Sequence, residues 1–140
     1  MSQEELRDYY HEAEMLIINS ETETWGLVIN EAMCCSCAIL SSIECGASSA
    51  LVKPGENGYI IRCNDIREMV NSLVDYHNLE DAKKNKMKQA SKEIIKDWGL
   101  DKFSGGVIKA IDFVKSQPKR KTTLISKILI KNWYGQYKPI

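Results

Sequence analysis

The sequence predicts an α/β fold, a short parallel sheet flanked by helices and followed by a helical carboxyl-terminal region. Three observations carry this expectation. Met15–Ile18 (MLII) is a continuous apolar run of strand length, as in a parallel strand covered on both faces. The polar loop Asn19–Thr24 follows, and from Gly26 the chain turns apolar again through Leu27, Val28, Ile29, Ala32 and Met33, too long a run for another strand. Ala38–Ser42 (AILSS) is then a second short buried strand, which completes a βαβ crossover over 15–42, right-handed by the general rule.

The remaining elements follow in order. Residues 3–13 place Leu6, Tyr9, Tyr10 and Ala13 on one side with acids early, a short amphipathic helix on which His11 is exposed or edge-packed. Residues 43–52 form a loop and a short helix beginning near Gly46. Pro54-Gly55-Glu56-Asn57-Gly58 is a turn cluster, and Tyr59, Ile60 and Ile61 give a brief third strand at the sheet edge. Asp65 and Glu68 match a capping box for a helix whose Ile66, Met69, Val70, Leu73 and Val74 recur as a core stripe. A more charged helix over 79–97 carries Met87, Ala90, Ile94 and Trp98 on its apolar line. Gly99 ends it, and Asp101 caps a further helix with Phe103, Val107, Ile111 and Val114 on one side. No internal repeat or low-complexity segment interrupts this pattern.

A chain of 140 residues suits one domain with a sizeable core. Its 44% hydrophobic and 27% charged content exclude general disorder, and a net charge of zero points to no class of partner. The charge is unevenly placed, because Lys115 to Ile140 contains lysine and arginine and no acid. Within it, Gln117–Lys121 (QPKRK) is a basic linker, and Leu124, Ile125, Ile128, Leu129 and Trp133 form a stripe flanked by Lys127 and Lys131. Two readings of 119–134 stay open: packing across a further domain, or contact with an anionic membrane surface. Nucleic-acid binding has only the basic tail behind it, which is too little. Cys34, Cys35, Cys37, Cys45 and Cys63, an odd number with no secretory leader, predict a reduced, cytoplasmic protein. With no Cys-x-x-Cys pair and only His11 and His77, the clustered thiols read as free and packed as small hydrophobes, not as a metal site. No apolar run approaches the roughly 20 residues needed to span a bilayer.

The candidate chemistry gathers in the loop between the first strand and its helix, since ligands of open α/β sheets sit outside the carboxyl ends of the strands. Glu23 lies in that loop. The first N–H groups of the helix, around Trp25, Gly26 and Leu27, carry the positive end of the helix dipole, and Gly26 lets an anion approach closely. Glu31 follows one turn after Leu27 on the same helical side. Taken singly, Glu23 is an acid near a helix start, stabilising the dipole by about 0.3–1 kcal/mol, and Glu31 is an ion-paired or partly exposed helical residue. Taken together they suit a hydroxyl-rich ligand, because a carboxylate can accept two hydrogen bonds from a vicinal diol.

The ordered set Ser20-x-x-Glu23-x-Trp25-Gly26-Leu27, Glu31-Ala32-Met33, Ala38–Ser42, Gly46-Ala47, Leu51-Val52 and Gly55-Glu56-Asn57-Gly58 resembles the Glu-x7-Glu signature of the retaining GT-B glycosyltransferases, particularly family 4 (group 1). The resemblance spans residues 3–115. It implies a Rossmann-like, partial GT-B carboxyl-terminal domain over 1–116 that binds the donor, with 117–140 as basic linker and amphipathic terminal helix. It further implies transfer of a sugar from a nucleotide sugar with retention, in glycan or cell-envelope biosynthesis. In that scheme Glu23 is the catalytic acid side chain set against the transferred sugar's hydroxyls, and Glu31 binds the ribose diol. The main-chain amides of Thr24, Trp25, Gly26 and Leu27 hold sugar or diphosphate, with Gly46 and Ala47 as weaker donor contacts. No metal or other cofactor is implied, the nucleotide sugar being the substrate. Asn19, Ser36 and Ala38 depart from the family's usual residues at loop positions. The family also needs an amino-terminal acceptor domain and an upstream arginine and lysine that neutralise the diphosphate. Their absence from this sequence implies a truncated enzyme that works with a missing domain or partner chain, cytoplasmic or peripheral at the inner membrane face. Three functions therefore stand: the donor half of a glycosyltransferase, a non-catalytic remnant or interaction module (or half of a split enzyme inactive alone), and a nucleotide-sugar epimerase of the same fold.

Overall fold

Short apolar runs separated by helical segments build a three-stranded parallel sheet, in the order β1 (Met15–Ile18), β2 (Ala38–Ser42), β3 (Gly58–Ile61). The computed structural model describes residues 2–118 and 123–131, and the chain divides into two units, Met1–Lys102 and Phe103–Ile140. In the first unit β2 is the central strand, with Met15 opposite Ala38 on one side and Ile39 opposite Gly58 on the other. All five of its residues are buried. The crossovers are α2 (Leu27–Cys34) and α3 (Gly46–Leu51), whose Ile29, Ala32, Met33 and Leu51 close the main core over Ile39. A smaller cluster joins Ala38 to Tyr76 and Met87.

Several elements differ from the sequence expectation, each for a stated reason. β1 is not fully covered on both faces, since Ile17 is 47% exposed; its open edge, paired among the described residues with β2 alone, agrees with a chain that carries only part of the sheet. α1 (Gln3–Glu12) begins with a complete capping box that the expectation passed over. The Ser2 hydroxyl accepts from the Glu5 N–H at 3.2 Å while the Ser2 N–H donates to the Glu5 carboxylate at 2.6 Å. Leu6, Tyr10 and Ala13 of its apolar side turn inward, whereas Tyr9 stays exposed.

At α4 (Ile66–His77) only half of the capping box forms. Asp65 Oδ1 accepts from the Glu68 N–H at 2.9 Å, but the Asp65 N–H donates to the Arg62 carbonyl and the Glu68 carboxylate is taken by the Arg62 guanidinium. The α4 stripe is only partly inward: Met69 and Leu73 are half-buried, whereas Ile66, Val70 and Val74 are exposed, and the helix's one buried residue is Tyr76 near its end. The helix that covers α2 and β2 is instead α5 (Asp81–Lys96), whose deepest line is Met87, Ser91 and Ile95, with Ala90 and Ile94 half-buried beside it. Trp98, beyond its end, rests against Trp25 with ring centroids 5.5 Å apart.

In the second unit, the helix α6 (Leu100–Ser116) that leads into it buries no residue, and Phe103, Val107, Ile111 and Val114 are exposed. α7 (Leu124–Lys131) exposes Leu124, Ile125, Ile128 and Leu129. Residues 119–121 of the basic linker and Trp133 of the terminal stripe lie outside the described residues. No described helix is long and apolar enough to cross a membrane. All five cysteines are free, but only Cys37 and Cys45 are buried; Cys34 is exposed and Cys35 half-buried at the end of α2, and Cys63 is half-buried in the loop after β3.

Candidate functional site

Two loops meet at the carboxyl end of the sheet, one leaving β1 and one leaving β2. They are stitched together by main-chain bonds: the Gly46 N–H donates to the Glu23 carbonyl at 2.9 Å and the Ala47 N–H to the Trp25 carbonyl at 2.7 Å. Ser42 anchors the start of the first loop, its hydroxyl donating to the Ser20 carbonyl at 2.7 Å and accepting from the Ser20 N–H at 3.1 Å. Glycine is needed twice in this arrangement. A Cβ on Gly46 would strike the Thr24 carbonyl, and one on Gly26, whose φ is +90°, would lie 2.6 Å from Cys45 Sγ.

The candidate donor residues occupy distinct places around this junction. Glu23 is half-buried and its Oε1 accepts from the Trp25 N–H at 3.3 Å, so the loop bends around its own carboxylate. Thr24 is exposed. Trp25 is committed to packing, its indole N–H donating to Asn30 Oδ1 at 3.0 Å and its ring lying on Trp98. Gly26 is the buried N-cap of α2, and Leu27, the first helical residue, is 68% exposed. The initial N–H groups of such a helix have no intrahelical acceptor. The Gly46 and Ala47 N–H groups are used between the loops, and the Ala47 side chain belongs to the core.

Glu31 is exposed on α2 and lines a groove of about 300 Å³ with Gln3, Leu6, Arg7, Tyr10 and Cys35. Its Oε2 accepts from the Tyr10 hydroxyl at 3.2 Å. Burial, then the neighbouring Glu31 carboxylate, push the Tyr10 hydroxyl above its ordinary value and favour the donating, neutral phenol. Glu23 does not line that groove. Tyr10 is the residue that sequence reasoning read only as part of an apolar face. Its partner lies 21 positions away and no local spacing signals the bond. A larger cavity of about 420 Å³, bounded by Gly55, Glu56, Leu79, Lys83, Lys86, Met87 and Ala90, contains none of the candidate donor residues.

The electrostatics of the sheet end are acidic. Glu21 accepts from Asn64 Nδ2 at 2.8 Å and Glu44 from the Cys63 N–H at 3.1 Å. Arg62, at the end of β3, is engaged by Asp65 at 2.7 Å and Glu68 at 2.8 Å. Among the described residues no group of three or more His, Cys, Asp or Glu side chains could hold a metal ion.

Comparison with known proteins now has a geometry to refer to. The family described as "Glycosyl transferases group 1" matches residues 1–94. The D-inositol 3-phosphate glycosyltransferase 1 of Catenulispora acidiphila is 31% identical over 74 residues, which cover 51% of this chain and 18% of that protein. The sucrose-phosphate synthase of Thermosynechococcus elongatus superposes with a TM-score of 0.69 at 24% identity, over 83% of this chain and 29% of that one, a likeness of fold.

Proposed function

The chain belongs to the glycosyl transferase group 1 family, and we propose that it is the donor-binding half of a glycosyltransferase. That enzyme moves a sugar from a nucleotide sugar to an acceptor with retention, in glycan or cell-envelope assembly, and uses no metal. One observation carries this reading: the family match over residues 1–94 takes in both Glu23 and Glu31 together with the loop between them. In the proposed complex the ribose diol donates to Glu31, whose carboxylate is steadied by Tyr10. The sugar hydroxyls meet Glu23 at the head of α2, and the free N–H groups around Gly26 and Leu27 face the departing diphosphate. Nucleotide departure leaves positive charge on the sugar, so fixed carboxylates and amides act through electrostatic placement, with no covalent step required of the chain.

The acidic sheet end limits what this half can do unaided. Arg62 is already occupied by two carboxylates, so the cations that offset a diphosphate are proposed to come from an amino-terminal half, in the same protein or as a partner chain. The full chain assayed with such a half and a panel of nucleotide sugars should release nucleoside diphosphate. Glu23→Gln should lower turnover by roughly a hundredfold with the fold intact, the size expected for losing one preorganised electrostatic group. Wild-type turnover in a folded Glu23→Gln variant would remove Glu23 from the mechanism. The partly exposed edge strand β1 favours a second reading, an interaction module without turnover. For that reading the same mixture should form a complex and bind no nucleotide sugar.

A further inference from the structure

We propose that the cavity of about 420 Å³ beside α5 binds a small carboxylate with an apolar body. Its place in the fold makes the inference independent of the donor-site reading. The three strands are parallel, so the turn before β3, which carries Gly55 and Glu56, lies at the end where the strands begin. Leu79 and Met87 pack against Ala38, the first residue of β2, and close the cavity at that same end. The loop that carries Glu23 lies where the strands finish, and the half proposed to neutralise the diphosphate is assigned there. Every wall of the cavity belongs to the first unit.

The lining selects the occupant. Lys83, Lys86, Met87 and Ala90 recur at three- and four-residue steps and so share one side of α5. Met87 is buried and Leu79 and Ala90 are half-buried, which gives an apolar floor, and the lysine stems extend it towards the rim. Among the described residues no ion pair engages Lys83, Lys86 or Glu56. Two ammonium groups against one carboxylate leave a single excess positive charge, which one carboxylate ligand matches. A phosphate dianion would exceed that charge and be opposed by Glu56, and a neutral ligand would gain nothing from the ammonium groups. The volume falls in the range of roughly 300–1,000 Å³ that small-molecule sites occupy.

Calorimetric titration of the full chain with octanoate, kept below micelle-forming concentrations, tests this. Octanoate should bind at a single site, and octanamide, of similar shape without the charge, should bind roughly tenfold more weakly or worse, the scale of one lost charge-assisted hydrogen bond. Lys83→Gln with Lys86→Gln should cause a similar loss for octanoate, and because both lysines are exposed the fold should survive. Ala90→Trp fills the cavity and should abolish binding while circular dichroism stays unchanged; if that variant unfolds, the lysine pair decides. The proposal is overturned if octanoate does not bind the full chain, if octanamide binds as tightly, or if inorganic phosphate displaces octanoate. It is equally overturned if the lysine replacements leave the affinity unchanged, or if a folded Ala90→Trp variant still binds.

Discussion

A side chain at position 46 would occupy space held by the Thr24 carbonyl, because the loop after β2 runs directly against the loop after β1. Gly46→Ala should therefore force the loops apart and lower stability by about 1–3 kcal/mol, as overpacking does, read from urea denaturation. Gly26→Ala should lose about 1–2 kcal/mol through its left-handed backbone alone and more through the Cys45 Sγ contact. Gly55 has φ +77° with open space around it, so Gly55→Ala isolates the backbone component. At this scale legibility in the sequence was uneven. Glu23 could be picked out because a polar loop between two apolar runs must lie at a strand end. The Tyr10–Glu31 bond could not, since it depends on how α1 and α2 are laid side by side. Glu68 was assigned to its helix start by spacing, yet Arg62, lying before that start, competes for the same carboxylate with a charged donor.

Helix α4 has one buried residue, Tyr76. Tyr76 is buried against Ala38 and Met87, its hydroxyl 3.4 Å from the Glu14 carbonyl and its ring beneath Lys84 Nζ. Burial, with the Glu14 carboxylate adding to it, has its hydroxyl pushed up to about 12 from 10.0. The folded chain keeps a proton that the unfolded chain releases near 10. The stabilisation is therefore complete below pH 10 and lost as pH rises from 10 through 12. The loss should be on the order of 2 kcal/mol. Tyr10 and Tyr59 are raised as well and act in the same sense, so Tyr76→Phe should shrink the fall without abolishing it. Urea midpoints measured below and above this range for both proteins check the sign. The strands β1 and β2 were readable to the residue because short apolar runs bounded by polar loops have few alternatives. The α4 stripe was judged too deep because periodicity reports that a helix has an apolar side, not how fully another element covers it. Tyr76, outside the stripe, became the anchor because α4 meets the sheet near its carboxyl end.

Across the described residues, exposed large apolar side chains include Ile17 on β1, Leu27 at the head of α2, Ile43 after β2, and several on α4, α6 and α7. An edge strand with an exposed isoleucine is a template for pairing with another chain. Ile17→Lys should lower concentration-dependent self-association, measured by light scattering, and change stability by no more than about 0.5 kcal/mol, as surface substitutions usually do. The parallel α/β architecture was legible because each strand is followed by a segment too long and too apolar to be a turn.

The central position of β2 also governs how the chain reaches this state. Each of its neighbours is separated from it by a helix, so no hairpin can start the sheet, and both pairings wait on closure of long connections. During synthesis the layer stays unfinished until Ile61 has left the ribosome, and refolding should be slower than for a helical bundle of equal length.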